Sequence, residues 1–184
     1  MIDITLNGIT KQLKNELIDI SIADFERVCV ILNKSDSVFE RYINIFQCLG
    51  LTVEDIDGIS EDDFLFLVDG FIRTRWEATE FVKELTIDGK IYTAFTGDKF
   101  VLSIRDLAKI EKYVKFNQEK YLGELLAIIY KDLTLPKEQW YDEKYISEKA
   151  ELFRNNITAN IVLPYTNLIL SNLITKLQDG FKTA

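Results

Sequence analysis

Six of the ten residues from Glu54 to Asp63 are acidic, which invites a calcium-loop reading. With Gly58 as the loop glycine, Asp55 and Asp57 fall on liganding positions. The same frame puts Val53 first and Phe64 twelfth, where the anchoring carboxylates belong. Solvated helix N-termini, where the helix dipole favours acids, explain the run better. With 30 Asp and Glu residues in 184, chance carboxylate pairs are unavoidable, so spacing alone marks no hydrolytic pair. An enzyme using carboxylates or a divalent cation stays as a rival, and a cleft with three or more converging acidic side chains would favour it.

Histidine is absent. That removes Ser-His-Asp and Cys-His nucleophile pairs, imidazole acid–base relays and His-containing zinc sites. Cys29 and Cys48 each sit inside an apolar helical pattern, as reduced core cysteines do, which suits a reducing cytosol. Two thiols cannot hold a structural zinc unaided. There is no Gly-rich phosphate loop and no Gly-x-Ser-x-Gly elbow. No catalytic residue, metal ligand or cofactor is expected, and the chain reads as a non-enzyme.

Arg105, Lys109 and Lys112 share one helical face, with Lys115 nearby. Glu111 interleaves them and no aromatic platform accompanies them, so a solvated face is expected rather than a phosphate-contacting stripe. Residues 1–82 carry 7 basic and 16 acidic side chains, a charge of −9, whereas residues 83–184 carry 15 against 14, or +1. An acidic first half repels phosphate, so nucleic acid is not an expected partner. The asymmetry suggests that two copies could align, acidic repeat against lysine-dotted repeat, beside the plainer reading of a soluble acidic surface. Large aromatics suit protein–protein contacts because they cover much area at little entropic cost. Phe71, Trp76, Trp140 and Tyr141 are the candidate partner-binding residues, with core filling as the alternative for each.

The elements that must position these residues occur twice. Ile4-Thr5-Leu6-Asn7-Gly8 recurs as Leu85-Thr86-Ile87-Asp88-Gly89, and Ile20–Val28 recurs as Leu102–Ile110. Each copy predicts a two-residue hairpin turn and then a helix capped by Ser21 or Ser103 with an acid three residues on. Further helices are predicted through Val38–Leu49, ended by Gly50, and from Ser60 to about Arg75. The latter carries Phe64, Leu65, Leu67, Val68, Phe71 and Ile72 around much of its circumference. It should be central to the first repeat or contact something besides its own hairpin.

In the second repeat, the return strand is predicted to reach Phe95, and Phe100–Leu102 to add a third short strand. Asn117 is read as the cap of a helix carrying Tyr121 to Tyr130, and Trp140-Tyr141-Asp142 leads into another, weakened at Asn155-Asn156. Ile157–Leu177 is strongly apolar, but Asn160, Pro164, Asn167 and Asn172 interrupt it, so a helix pair or kinked helix is expected rather than a membrane span. The acidic Met1-Ile2-Asp3 start has neither the basic nor the apolar region of a signal peptide. The expected fold is α+β and mostly helical, in two divergent repeats, each a β-hairpin followed by about three helices. Residues 1–80 form the acidic repeat and 81–184 the second, with longer C-terminal helices. Each is small for a core of its own, so a shared interface is expected.

The chain resembles small tail-assembly proteins of tailed bacteriophages, those acting as tail-assembly chaperones or baseplate hub assembly factors. In the second half the likeness lies in the hairpin Thr86–Tyr92, in Leu125–Lys131, and in Trp140–Lys144 running into Ala150–Phe153. In the first half it lies in Ile22–Phe25 and Leu49–Ile56. The resemblance implies a non-enzymatic structural or assembly protein that binds tail, baseplate or other virion subunits in the host cytoplasm, with homo-oligomers possible. It brings no catalytic residues. A cytosolic adaptor outside any viral context would make the same contacts.

Overall fold

The computed structural model describes residues 2–6, 9–14, 16–34, 37–73, 81–94, 102–116 and 120–166. Two antiparallel hairpins are each followed by helices, giving a mostly helical α+β fold. β1 (Ile2–Leu6) pairs with β2 (Ile9–Leu13), and β3 (Glu84–Ile87) with β4 (Lys90–Thr93). In the second turn Asp88 and Gly89 adopt φ of 50° and 75°, the positive values that a type I′ turn needs. The first turn, at Asn7-Gly8, lies outside the described residues. So do residues 95–101; Leu102, the remaining part of the expected third strand, is not in a strand.

Local chemistry places most helix ends. Ser21 accepts the Asp24 amide to start α1 (Ile22–Leu32), and a full capping box of Ser37 and Glu40 starts α2 (Val38–Cys48). Gly50, at φ 123°, turns the chain out of α2. Thr52 and Asp55 form a second capping box for α3 (Val53–Asp57). The Ser60 hydroxyl accepts the Asp63 amide at α4 (Glu61–Arg73). Ser103 and Asp106 exchange bonds at the start of α5 (Ile104–Phe116). Asp142, after a 3₁₀ turn over Gln139–Tyr141, caps α7 (Glu143–Asn156).

α6 (Leu122–Ile129) is buried along its whole length, and its own cap residue, Tyr121, offers no side-chain bond. Asn117 lies outside the described residues; the helix starts four residues later than a cap there would place it. Residues 159–166 are helical through Pro164, so the proline does not end this segment. Among the described residues no helix is long and apolar enough to cross a membrane.

The buried apolar side chains form one continuous core that crosses the line between the repeats. In the first half Phe46 is its pivot, edge-on to Phe64 and Phe71 at ring distances of 5.7 and 6.2 Å. In the second, Phe153 meets Tyr92 edge-on at 5.2 Å, and the Tyr130 and Tyr165 hydroxyls both donate to the Val82 carbonyl at 2.6 Å. Each such ring, taken fully out of water, contributes about 1.5–3 kcal/mol. Backbone bonds stitch the halves as well: the Ile22 amide donates to the Ile157 carbonyl and the Ala159 amide to the Ile20 carbonyl. The shared interface expected of two small repeats is therefore a single core.

Candidate functional site

α4 is two-faced. Phe64, Leu67 and Phe71, spaced by three and four, point inward and are buried. On the other side Phe66 is 75% exposed, Ile72 63% and Leu65 46%. Leu65 and Ile72 lie seven residues apart on nearly one line, with Phe66 about 100° further round the helix. The i,i+4 ion pair of Asp69 and Arg73, 2.8 Å apart, sits between them. Val38 and Phe39 at the start of α2 and Val53 of α3 are exposed as well, and the Phe39 ring stacks on Phe64 at 5.8 Å, against the first turn of α4. The circumferential apolarity read in the sequence thus resolves into one face for the core and one for water.

Acids crowd the first turns of α3 and α4. Asp63 is held by the Ser60 hydroxyl at 2.7 Å and Asp55 by Lys11 at 2.6 Å. The Lys11 ammonium and the Thr52 amide keep the Asp55 carboxyl below the usual carboxylate range. Among the described residues, Glu54, Asp57, Glu61 and Asp62 have no ion-pair partner.

The four residues singled out for partner binding fall differently. Phe71 is part of the core, against Phe46 and Tyr42, and offers no surface to a partner. Its neighbours in sequence, Phe66 and Ile72, hold the exposed positions instead. Trp76 lies outside the described residues. Trp140 and Tyr141 are half-buried and used internally. The Trp140 indole donates to the Asp132 carbonyl at 2.8 Å, and the Tyr141 ring lies between the Arg105 guanidinium, 4.2 Å away, and the Lys131 ammonium, 4.7 Å away. Lys131 pairs with Asp106 at 2.6 Å, and the Asp106 carboxyl stays low because that pair and the Ser103 bonds outweigh the opposing effect of burial. Lys109 and Lys112, the expected solvated stripe, both reach Glu143 across the α5–α7 groove.

A cleft of about 250 Å³ at the junction of α1, α6 and α7 is lined by Glu26, Arg27, Lys120, Glu124, Glu151 and Arg154, among others. Glu26 does what Tyr121 cannot. One of its carboxylate oxygens accepts the Leu122 and Gly123 amides at the start of α6, at 2.8 and 3.4 Å. The other accepts Arg154 Nε at 2.8 Å, and Arg154 also donates to Glu124, to Glu151 and to the Lys120 carbonyl. Burial lifts the Glu124 carboxyl above its usual range even against the pull of Arg154. Burial also works against the Arg154 charge, but Glu26 and Glu124 hold it above its ordinary value. A side chain at Gly123 would sit 2.9 Å from the Arg154 guanidinium, so the glycine makes room for it.

Three carboxylates do converge here, the arrangement that would favour a carboxylate-dependent enzyme. Each accepts a hydrogen bond from Arg154, Glu26 through one oxygen while its other oxygen caps α6, and Glu124 and Glu151 through one oxygen apiece. Among the described residues no group of three or more His, Cys, Asp or Glu is placed to hold a metal ion. Glu26 and Arg154 were readable in part. Each lies four residues after a core position, Ile22 and Ala150, and so on an apolar helical stripe. A charge there needs a buried partner. No protein-family model, curated protein or solved structure matches the chain.

Proposed function

We propose that this is a non-enzymatic assembly protein that docks another protein on the outer face of α4. The observation that carries the reading is the exposure of Leu65, Phe66 and Ile72 on one helix whose opposite face is fully used by the core. Isolated apolar side chains on a surface need no explanation, but three on one helix, with the exposed Phe39 stacked against its first turn, suit a docking surface. The acidic first turns of α3 and α4 keep such a face soluble until a partner covers it.

The resemblance to tail-assembly proteins of tailed phages supplies the partner class, a tail or baseplate subunit, and the host cytoplasm as the place of the encounter. The mechanism is to cover apolar surface of that subunit until assembly proceeds. The test is a pull-down from phage-infected cells with the wild-type chain and an L65S/F66S/I72S variant. Tail or baseplate subunits should be recovered by the wild type and lost from the variant. Recovery of metabolic enzymes only would sink the assembly reading, and a non-viral partner lost from the variant would make the protein an adaptor using the same face.

A further inference from the structure

Resting on the reading of α4 as a docking face, we infer that its occupant is a lysine- or arginine-bearing amphipathic helix of a different protein. The shape of the face sets the first half of that statement. Leu65 and Ile72 are separated by about 10.5 Å along the axis, two turns of helix, which matches apolar side chains at i, i+3 or i+4, and i+7 on a helix laid alongside. Phe66, beyond the Asp69–Arg73 pair, widens the strip so that a second ridge can pack on it.

The charges set the second half. α4 carries Glu61, Asp62 and Asp63 in its first turn and Asp69 further on, against the single Arg73. A partner with acids flanking its apolar strip would meet like charge at the N-terminal end of the contact, whereas lysines or arginines there complement it and speed the encounter. Most basic side chains on the described helices are already engaged within this chain, Arg105 with the Tyr141 ring. Lys109 and Lys112 are tied to Glu143, Lys115 to Glu111, Arg27 and Lys14 to Asp24, and Lys144 to Glu148. A second copy would have to give up those pairs to bind, so charge complementarity favours a different protein.

The experiment titrates the full-length chain with two synthetic helices of about 18 residues that share one leucine strip. One carries lysine at every flanking position and the other glutamate. The lysine helix should bind at least ~10-fold more tightly at low salt, and this advantage should shrink as ionic strength rises towards ~0.5 M. L65S/F66S/I72S should lose the binding, and E61Q/D62N should reduce the preference for lysine while leaving the chain folded. Equal or tighter binding of the glutamate helix overturns the basic partner and leaves the docking face standing. Lysine-helix binding that survives the serine substitutions, or no binding by either helix, overturns both. Light scattering that shows self-association abolished by the serine substitutions would make the occupant a second copy and overturn the inference.

Discussion

At the junction of α1, α6 and α7, charge lies inside: Glu26, Glu124 and Arg154 are buried, yet every one is bonded. On the outer face of α4 the reverse holds, with Phe66, Ile72 and Leu65 in water and nothing in the described chain covering them. The first inversion is explained from within. Glu26 belongs to one repeat and Arg154 to the other, and the carboxylate also caps α6, so the cost of burying charge is offset by three bonds to groups that would otherwise lack partners. The second has no internal explanation, because the fold gains nothing from an exposed phenylalanine. The buried charges are thus accounted for by bonds within the fold, whereas the exposed apolar face is the one the proposed docking would use.

Removing the partner of the buried arginine is the strongest way to break this contrast. Glu26→Ala leaves a buried guanidinium short of a carboxylate and uncaps α6, and should cost about 3–5 kcal/mol in urea unfolding. A loss below ~1 kcal/mol would show that the junction does not hold the repeats together. Gly123→Ala should cost about 1–3 kcal/mol, since the new methyl meets an arginine that its carboxylates hold in place.

Lys149 sharpens the point about pairing. It is buried, donates to the Tyr130 carbonyl at 3.0 Å and faces the rings of Tyr145 and Tyr92, but has no ion-pair partner among the described residues. Burial first, and the nearby Lys131 second, pull its pKa from 10.5 to about 7, with Asp132 opposing them. Between these values the unfolded chain holds a proton that the fold does not, so raising the pH stabilises the protein. The gain should approach about 1.4 kcal/mol per pH unit over the window from about 7 to 9, and vanish in Lys149→Met. Equal slopes for the two proteins would mean that Lys149 stays charged in the fold.

The smallest effects on stability belong to α4. A methyl group at Gly70 meets nothing within 4 Å, so Gly70→Ala should raise stability by about 1 kcal/mol through helix propensity alone, read as a shift in the urea midpoint. Phe66→Ser should change stability by no more than ~0.5 kcal/mol while weakening partner binding. A large loss of stability on that change would mean that Phe66 is packed, and would erase the contrast with Glu26.

Much of the framework was legible because it is local. The caps at Ser21 and Ser103, the Asp88-Gly89 turn, the break after Leu32 and the glycine after α2 each need only atoms within a few residues. The alternation in β4 was legible too, but not its direction. Both sides of that strand carry apolar residues, and pairing Leu85 with Tyr92 buries one set while Ile91 stays exposed. The same limit applied to α4, where Phe71 and Phe66 are equally apolar and only the position of Phe46 decides which is core.

What the chain settled unaided, then, is where its elements begin and end, because caps, turns and hydrophobic periods act within one or two turns of backbone. The choice of inner and outer face was made only when the helices packed. So was the meeting of Glu26 with Arg154, 128 residues apart in sequence, because a buried carboxylate takes whatever donors the packing brings within about 3 Å. Tertiary structure turned an acid and an arginine on apolar stripes into a joint, and left Leu65, Phe66 and Ile72 facing out.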